Sequence, residues 1–180
     1  MSSPFLKLKI NTKKLSKIKI SKNDDNFKNN IISIFKNFQI KSKLHRDFQI
    51  ITIGNPIIDD FDKFLKDVHD KRNNIQKLKK DLRKINGQFL IIINYYKDNK
   101  IAIINDRFAS IPIYYLRDKD NFYFSHLYYD LNQIKIVKKL NFEKFNFLQV
   151  LFFNRMFGDY TFHKDIKYLL PATIDFIYNN

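Results

Sequence analysis

Apolar and basic positions alternate through Phe5, Leu6, Lys7, Leu8, Lys9 and Ile10. This period of two predicts a strand with one face in the core and the other half exposed to water. Residues 16–20 repeat it, with Ile18 and Ile20 between lysines. Residues 22–30 are polar and read as a loop. Residues 31–38 fit a short helix or a strand equally well. Residues 48–53 read as a buried strand, closed by Gly54-Asn55-Pro56. Phe61, Phe64, Leu65 and Val68 then share one helical face, and Ile75, Leu78, Leu82 and Ile85 share another. Asn86-Gly87 reads as the stop of the second helix. The runs 89–96 and 101–104 flank Lys97-Asp98-Asn99-Lys100 and predict a hairpin. Strands fit residues 113–117, 121–125 and 173–178, and Phe142, Phe145, Leu148 and Phe152 mark a third helix. Strands outnumber helices, their pairing is mostly local and antiparallel, and no repeat of solenoid length is visible.

The length of 180 residues suits a single domain spanning 1–180 with a core of its own. Only three Gly and four Pro occur, which excludes a flexible linker or low-complexity tail. Lys and Arg total 33 against 18 acidic residues, for a formal net charge of +15. An excess of this size raises a basic, nucleic-acid-binding module as one reading. The lysines are spread along the chain, however, as on a solvated surface, so nucleic acid is expected to bind only weakly and without specificity. The absence of Cys removes disulfides, zinc–thiolate sites, iron–sulfur ligation and a thiol nucleophile. The start, Met-Ser-Ser-Pro-Phe-Leu-Lys, has no continuous apolar core of a signal peptide, and no run reaches the ~18 apolar residues of a membrane span. A cytoplasmic protein without a membrane partner is the expectation.

Few side chains are arranged for chemistry. His45, His69, His126 and His163 have no metal-ligand spacing, so no metal is expected. The pairs Asp24-Asp25 and Asp59-Asp60 are adjacent, face opposite ways on a strand, and read as loop and helix-cap residues. Phe122, Tyr123, Phe124, Tyr128 and Tyr129 could stack bases beside lysines, but at strand spacing Phe122 and Phe124 read as core. Ser2 would be exposed by removal of Met1, and a terminal Ser can act with its own amine as base. Pro4 follows two residues later.

Residues 85–117 read Ile-Asn-Gly-Gln-Phe, a strand pair, then Asn-Asp-Arg-Phe-Ala-Ser-Ile-Pro-Ile-Tyr-Tyr. This resembles the asparagine synthetase pattern "L-x-G-x-F-A" followed by "R-D-x-x-G-x-x-P-L-Y-Y". Residues 122–125, Phe-Tyr-Phe-Ser, stand where that family has "F-A-S-E", with His126 in place of its Glu. Residues 157–173 are similar to "P-x-x-x-T-x-F-x-G-I-x-x-L-x-P-G". The motif positions are Asn86, Gly87, Phe89, Asp106, Arg107, Pro112, Tyr114, Gly158, Thr161, Ile166 and Pro171. Asp106 and Arg107 are expected to tie their turn to a neighbouring strand. Pro112 is expected to hold Ile111 extended and aim Tyr114 and Tyr115 into a new strand.

The resemblance is to the class II glutamine amidotransferase domain of asparagine synthetase- and β-lactam synthetase-like enzymes. It implies an α+β fold, the four-layer αββα sandwich of the N-terminal nucleophile hydrolases with mainly antiparallel sheets. In working members a terminal Cys attacks the glutamine amide, and a separate domain with "S-G-G-x-D-S" uses ATP. Here Cys, that phosphate loop and "S-D-x-E" are missing. The oxyanion segment "N-G-E-I-Y-N" has only Gly54-Asn55-Pro56-Ile57 near it, with Ile53 before the glycine. The resemblance therefore implies a degenerate domain with no cofactor. It would be a non-catalytic partner, or a detached N-terminal half, of an ATP-dependent synthetase. An amide hydrolase using Ser2 is the alternative. Phe142, Phe145, Phe147, Phe152, Phe153, Met156 and Phe157 are too many for one buried helix face. Some are expected to form an exposed apolar patch, covered by a synthetase subunit or a second copy of the chain.

Overall fold

The computed structural model describes residues 5–11, 18–22, 31–35, 39–70, 74–118, 120–134 and 141–178. The chain is α+β with two mainly antiparallel sheets, the fold class expected. The described residues form two compact units, each assembled from separated stretches of chain.

One unit is built from residues 1–38, 112–170 and 178–180. Its sheet contains β1 (Phe5–Asn11), β2 (Lys19–Lys22), β3 (Ile31–Phe35), β8 (Tyr114–Arg117), β9 (Asn121–Ser125) and β10 (Ile166–Tyr168). Their order is β10-β8-β9-β1-β3-β2, all antiparallel except β2–β3. The stretch that fitted helix or strand is therefore strand β3. In β1, Leu6, Leu8 and Ile10 are buried as alternation predicts, but so is Lys7, which corrects the half-exposed reading. Its ammonium lies 3.1 Å from Asp130 of the short helix α3 (Tyr128–Asn132), an element the sequence did not announce. A buried cation is tolerated when it is paired in this way. The same unit carries α4 (Lys144–Phe153).

The other unit spans residues 39–111 and 171–177. Its strands are β4 (Ile40–Leu44), β5 (Gln49–Ile57), β6 (Asn86–Tyr95), β7 (Lys100–Asn105) and β11 (Ile174–Tyr178), in the order β11-β7-β6-β5-β4. Two helices, α1 (Phe61–Asp70) and α2 (Ile75–Leu82), cover one face. There Phe64, Leu65, Val68, Leu78 and Leu82 meet the alternate strand residues Phe48, Ile50, Phe89, Ile91, Ile93 and Ile104. The intervening Ile51, Ile53, Leu90, Ile92, Ile101 and Ile103 are equally buried. Burial on both faces is why these strands read as continuous apolar runs. The α1 cap is Asp60, whose carboxylate accepts from Lys63 N at 2.9 Å, and Asn74 caps α2 in the same manner.

Two boundaries differ from the sequence reading for one reason. β5 does not end at Gly54 but continues to Ile57, and Asn86-Gly87 does not stop a helix but opens β6. The helix α2 has already closed at Arg83, whose N–H donates to Lys79 O at 3.1 Å. Gly54 and Gly87 have φ of +86° and +97° and face each other's strand, Gly54 opposite Phe89 and Gly87 opposite Pro56. Positive φ is open to glycine at little steric cost, so residues that look like chain punctuation here sustain a ladder. Beyond Ile53, β5 has no β4 partner, which lets Pro56 sit in the strand as on an edge. Among the described residues no helix is long and apolar enough to cross a membrane.

Candidate functional site

The motif residues converge most closely on Asp106, at the end of β7. Its side chain is buried and accepts from four donors. Phe89 N reaches Oδ2 at 3.1 Å, Phe108 N reaches Oδ1 at 2.8 Å, and Ser110 brings both N and Oγ to 3.2 Å. The Asp106 carbonyl accepts from Ala109 N and, at 2.8 Å, from Ala172 N. Asp106 thus fastens β6, its own turn and the segment after Pro171, and the expected tie to a neighbouring strand is its bond to Phe89. A carboxylate with this many donors on it is a structural anchor and has no free lone pair aimed at a substrate. Arg107 turns elsewhere and donates through its guanidinium to Arg83 O at the end of α2.

A cavity of about 110 Å³ lies beside this anchor, between Leu82, Ile85, Phe89, Ile104 and Ile174, with Lys79, Arg83 and Arg107 at its rim. The basic rim sits against the C-terminal carbonyls of α2, where cations offset the helix dipole.

Ala109 and Ala172 have φ of +50° and +55°. Both stand where the resembled pattern has glycine, at the G of "R-D-x-x-G" and of "L-x-P-G". The turns keep their left-handed geometry although the residue has changed. Holding a non-glycine there costs about 1–2 kcal/mol, partly offset by the greater freedom of glycine in the unfolded chain. Ala109→Gly and Ala172→Gly should therefore each raise stability by about 0.5–1 kcal/mol, read as the urea midpoint. A loss of stability in both would show that the alanine methyls pack favourably.

In the other unit, Pro112 precedes β8 as expected, and Tyr114 rests against Tyr128 and Tyr168 with ring centroids 5.6 and 5.5 Å away. Ile166 is fully buried opposite Leu116. Thr161 is buried, its hydroxyl 2.6 Å from Ile166 O, and accepts from His163 N at 3.1 Å. Gly158 has a φ of +66°, with the Tyr160 ring at ordinary contact distance from where a methyl group would sit. Asn86 and Gly87 lie at the exposed start of β6, away from the buried anchor at Phe89. Ser2 and Asp24-Asp25 lie outside the described residues, as does the side chain of His69.

The base-stacking reading loses four of its five residues, Phe122 and Phe124 being buried core as expected. Tyr123 is buried and Tyr128 is half-buried, both packed with Leu116, Leu131 and Ile166, which leaves Tyr129 exposed. His45 stacks on Phe48. His126 accepts at Nδ1 from Leu6 N, 3.2 Å away, and burial pushes its imidazole below the ordinary value against the opposing pull of Asp130. Beside it Ser125 donates to Asp130 at 2.6 Å.

Sequence reasoning missed a polar network under α4. Asn146 and Gln149 are buried while the helix's Phe and Leu residues face out. Asn146 Nδ2 donates to Thr161 O at 2.7 Å, and Gln149 Oε1 accepts from Phe157 N at 2.9 Å. The available signal was two amides three residues apart in an otherwise apolar helix, the spacing of one face.

A family model described as a glutamine amidotransferase domain matches residues 75–180, more than half of the chain. No curated protein matches. Among solved structures, the chain is similar to the glutamine phosphoribosylpyrophosphate (PRPP) amidotransferase of B. subtilis, complexed with ADP and GMP. The identity is 9% and the TM-score 0.32; the match covers 50% of this chain and 24% of that one, so it spans about a quarter of the enzyme's length.

Proposed function

This chain belongs to the glutamine amidotransferase domain family, and on that premise we propose that it is a domain of that type without glutaminase activity of its own. Its role is to serve, in the cytoplasm, as the partner or detached N-terminal half of an ATP-dependent, asparagine synthetase-like amide-forming ligase. The observation that carries the reading is that the chain contains no Cys, whereas working members of the resembled group attack glutamine with one. The backbone supports it. Gly54, nearest to the oxyanion segment, donates its N–H to Gln39 O at 2.8 Å, inside its own sheet edge. An oxyanion donor must instead be free to meet charge developing on the substrate. The retained motif residues support it too, since Asp106, Thr161 and Ile166 are buried and their polar groups hold the fold together.

Incubated with glutamine, the purified protein is expected to release no ammonia above the buffer rate. Release that disappears in Ser2→Ala would overturn this reading in favour of an amide hydrolase with a terminal serine nucleophile.

A further inference from the structure

We infer that α4 is the contact through which two copies of this chain associate, helix against helix across a two-fold axis. The helix is inside out. Phe145, Phe147, Leu148, Leu151, Phe152 and Phe153 are 41–77% exposed, while its buried side chains are amides. This setting is pinned from beneath, because rotating α4 to bury the aromatics would break the bonds from Asn146 to Thr161 O and from Phe157 N to Gln149.

The exposed surface has the size of an interface. At about 200 Å² per large apolar side chain, Phe145, Phe147, Leu148, Leu151 and Phe152 leave roughly 600 Å² in water on the side away from Asn146 and Gln149, approaching the ~800 Å² each partner contributes to a stable complex. Isolated monomers rarely leave so much apolar area contiguous.

Charge selects the occupant. The chain carries +15, yet residues 145–154 include no charged side chain. An acidic partner would find nothing to pair with along this stretch and would be drawn to the lysine-coated surface instead. Along 145–154 a second copy meets no like charge, and at the ends Glu143 and Lys144 of one copy lie toward Arg155 of the other. The face also suits a two-fold axis, since Leu148, Leu151 and Phe152 share the side of the helix opposite Asn146 and Gln149, and an antiparallel copy sets this same row against itself, as an isologous contact requires. The inference is independent of the amide-forming reading, because it needs neither ATP nor a synthetase.

Sedimentation equilibrium of the full chain tests it, with salt as the discriminating variable. A dimer with a dissociation constant of roughly 10 µM or tighter is expected. It should tighten several-fold between about 50 and 500 mM NaCl, because salt screens the repulsion of two +15 chains. Phe152→Glu and Leu148→Lys should each weaken it by about 100-fold or more while leaving unchanged the circular dichroism and the thermal midpoint measured well below the wild-type dissociation constant. A wild type that stays monomeric at both salt concentrations overturns the proposal. So does a dimer that survives both substitutions, or one that dissociates as salt rises, which marks an ionic contact elsewhere. Unfolding of both variants overturns it too, by identifying the face as core.

Discussion

Asp106→Ala is expected to be the most destabilising of the substitutions at the anchor, leaving a protein that unfolds at much lower urea than the wild type. The substitution removes the acceptor of Phe89 N, Phe108 N, Ser110 N and Ser110 Oγ together. Each donor stranded out of water costs about 1–3 kcal/mol, and water entering the small void recovers only part of that. A loss of about 4–6 kcal/mol follows, against a total stability of about 5–15 kcal/mol for a domain. Asp106→Asn keeps the shape but turns one acceptor into a donor aimed at N–H groups, so a loss of about 2–3 kcal/mol is expected. The neighbouring Phe108→Ala is the control: Phe108 is 84% exposed and should change stability by less than about 0.5 kcal/mol. Urea unfolding followed by circular dichroism ranks the three. If both aspartate variants fall within about 1 kcal/mol of wild type, Asp106 is not an anchor.

The second large effect is expected at the crossing of β5 and β6. A methyl group on Gly87 would lie 2.2 Å from Asn55 O, and one on Gly54 would lie 2.4 Å from Gln88 O. Both obstacles are backbone carbonyls, so neither can move without opening the ladder. Positive φ adds strain of about 1–3 kcal/mol at each site. Gly87→Ala and Gly54→Ala should each cost about 4 kcal/mol or more. Gly158 separates clash from strain. Its φ is also positive, but a methyl there meets only the Tyr160 ring at 3.8 Å, and Gly158→Ala should cost about 1 kcal/mol. Equal losses at Gly87 and Gly158 would mean that the ladder yields.

How far the fold could be read varied with what fixed each part. The β6–β7 hairpin was legible because a polar turn divides two apolar runs. The helices α1 and α2 were legible because Phe64, Leu65, Val68, Leu78 and Leu82 keep a helical period against one sheet face. The edge strand β4 was not legible: Ile40–Leu44 is mostly exposed and carries no strong alternation. At five residues, α3 is too short for a periodic signal. The extent of β5 and β6 was misread because Gly54 and Gly87 signal a turn locally, while their use in a ladder depends on the partner strand. In α4 the helix was visible but its buried side was not. Apolar period predicts which residues share a face, and only Thr161 and Phe157, brought close by the fold, determine that the amides face in. The importance of Asp106 was legible as a motif, but its donors come from residues before and after it that no linear pattern connects.

The way the chain is divided sets a schedule for folding during synthesis. β1, in the middle of its sheet, pairs with β9, more than a hundred residues later in the chain. In the other unit, Asp106 and β7 wait for Ala172 and β11 until nearly all of the intervening unit has been made. Neither unit can be finished before the ribosome passes residue 170. Until then the isoleucine-rich strands β5, β6 and β7 stand with an unpaired edge, the condition in which nascent chains recruit chaperones or pair with one another. Slow translation would lengthen that exposure, so the yield of folded protein should depend on the rate of synthesis through residues 112–170 as well as on the stability of the finished molecule.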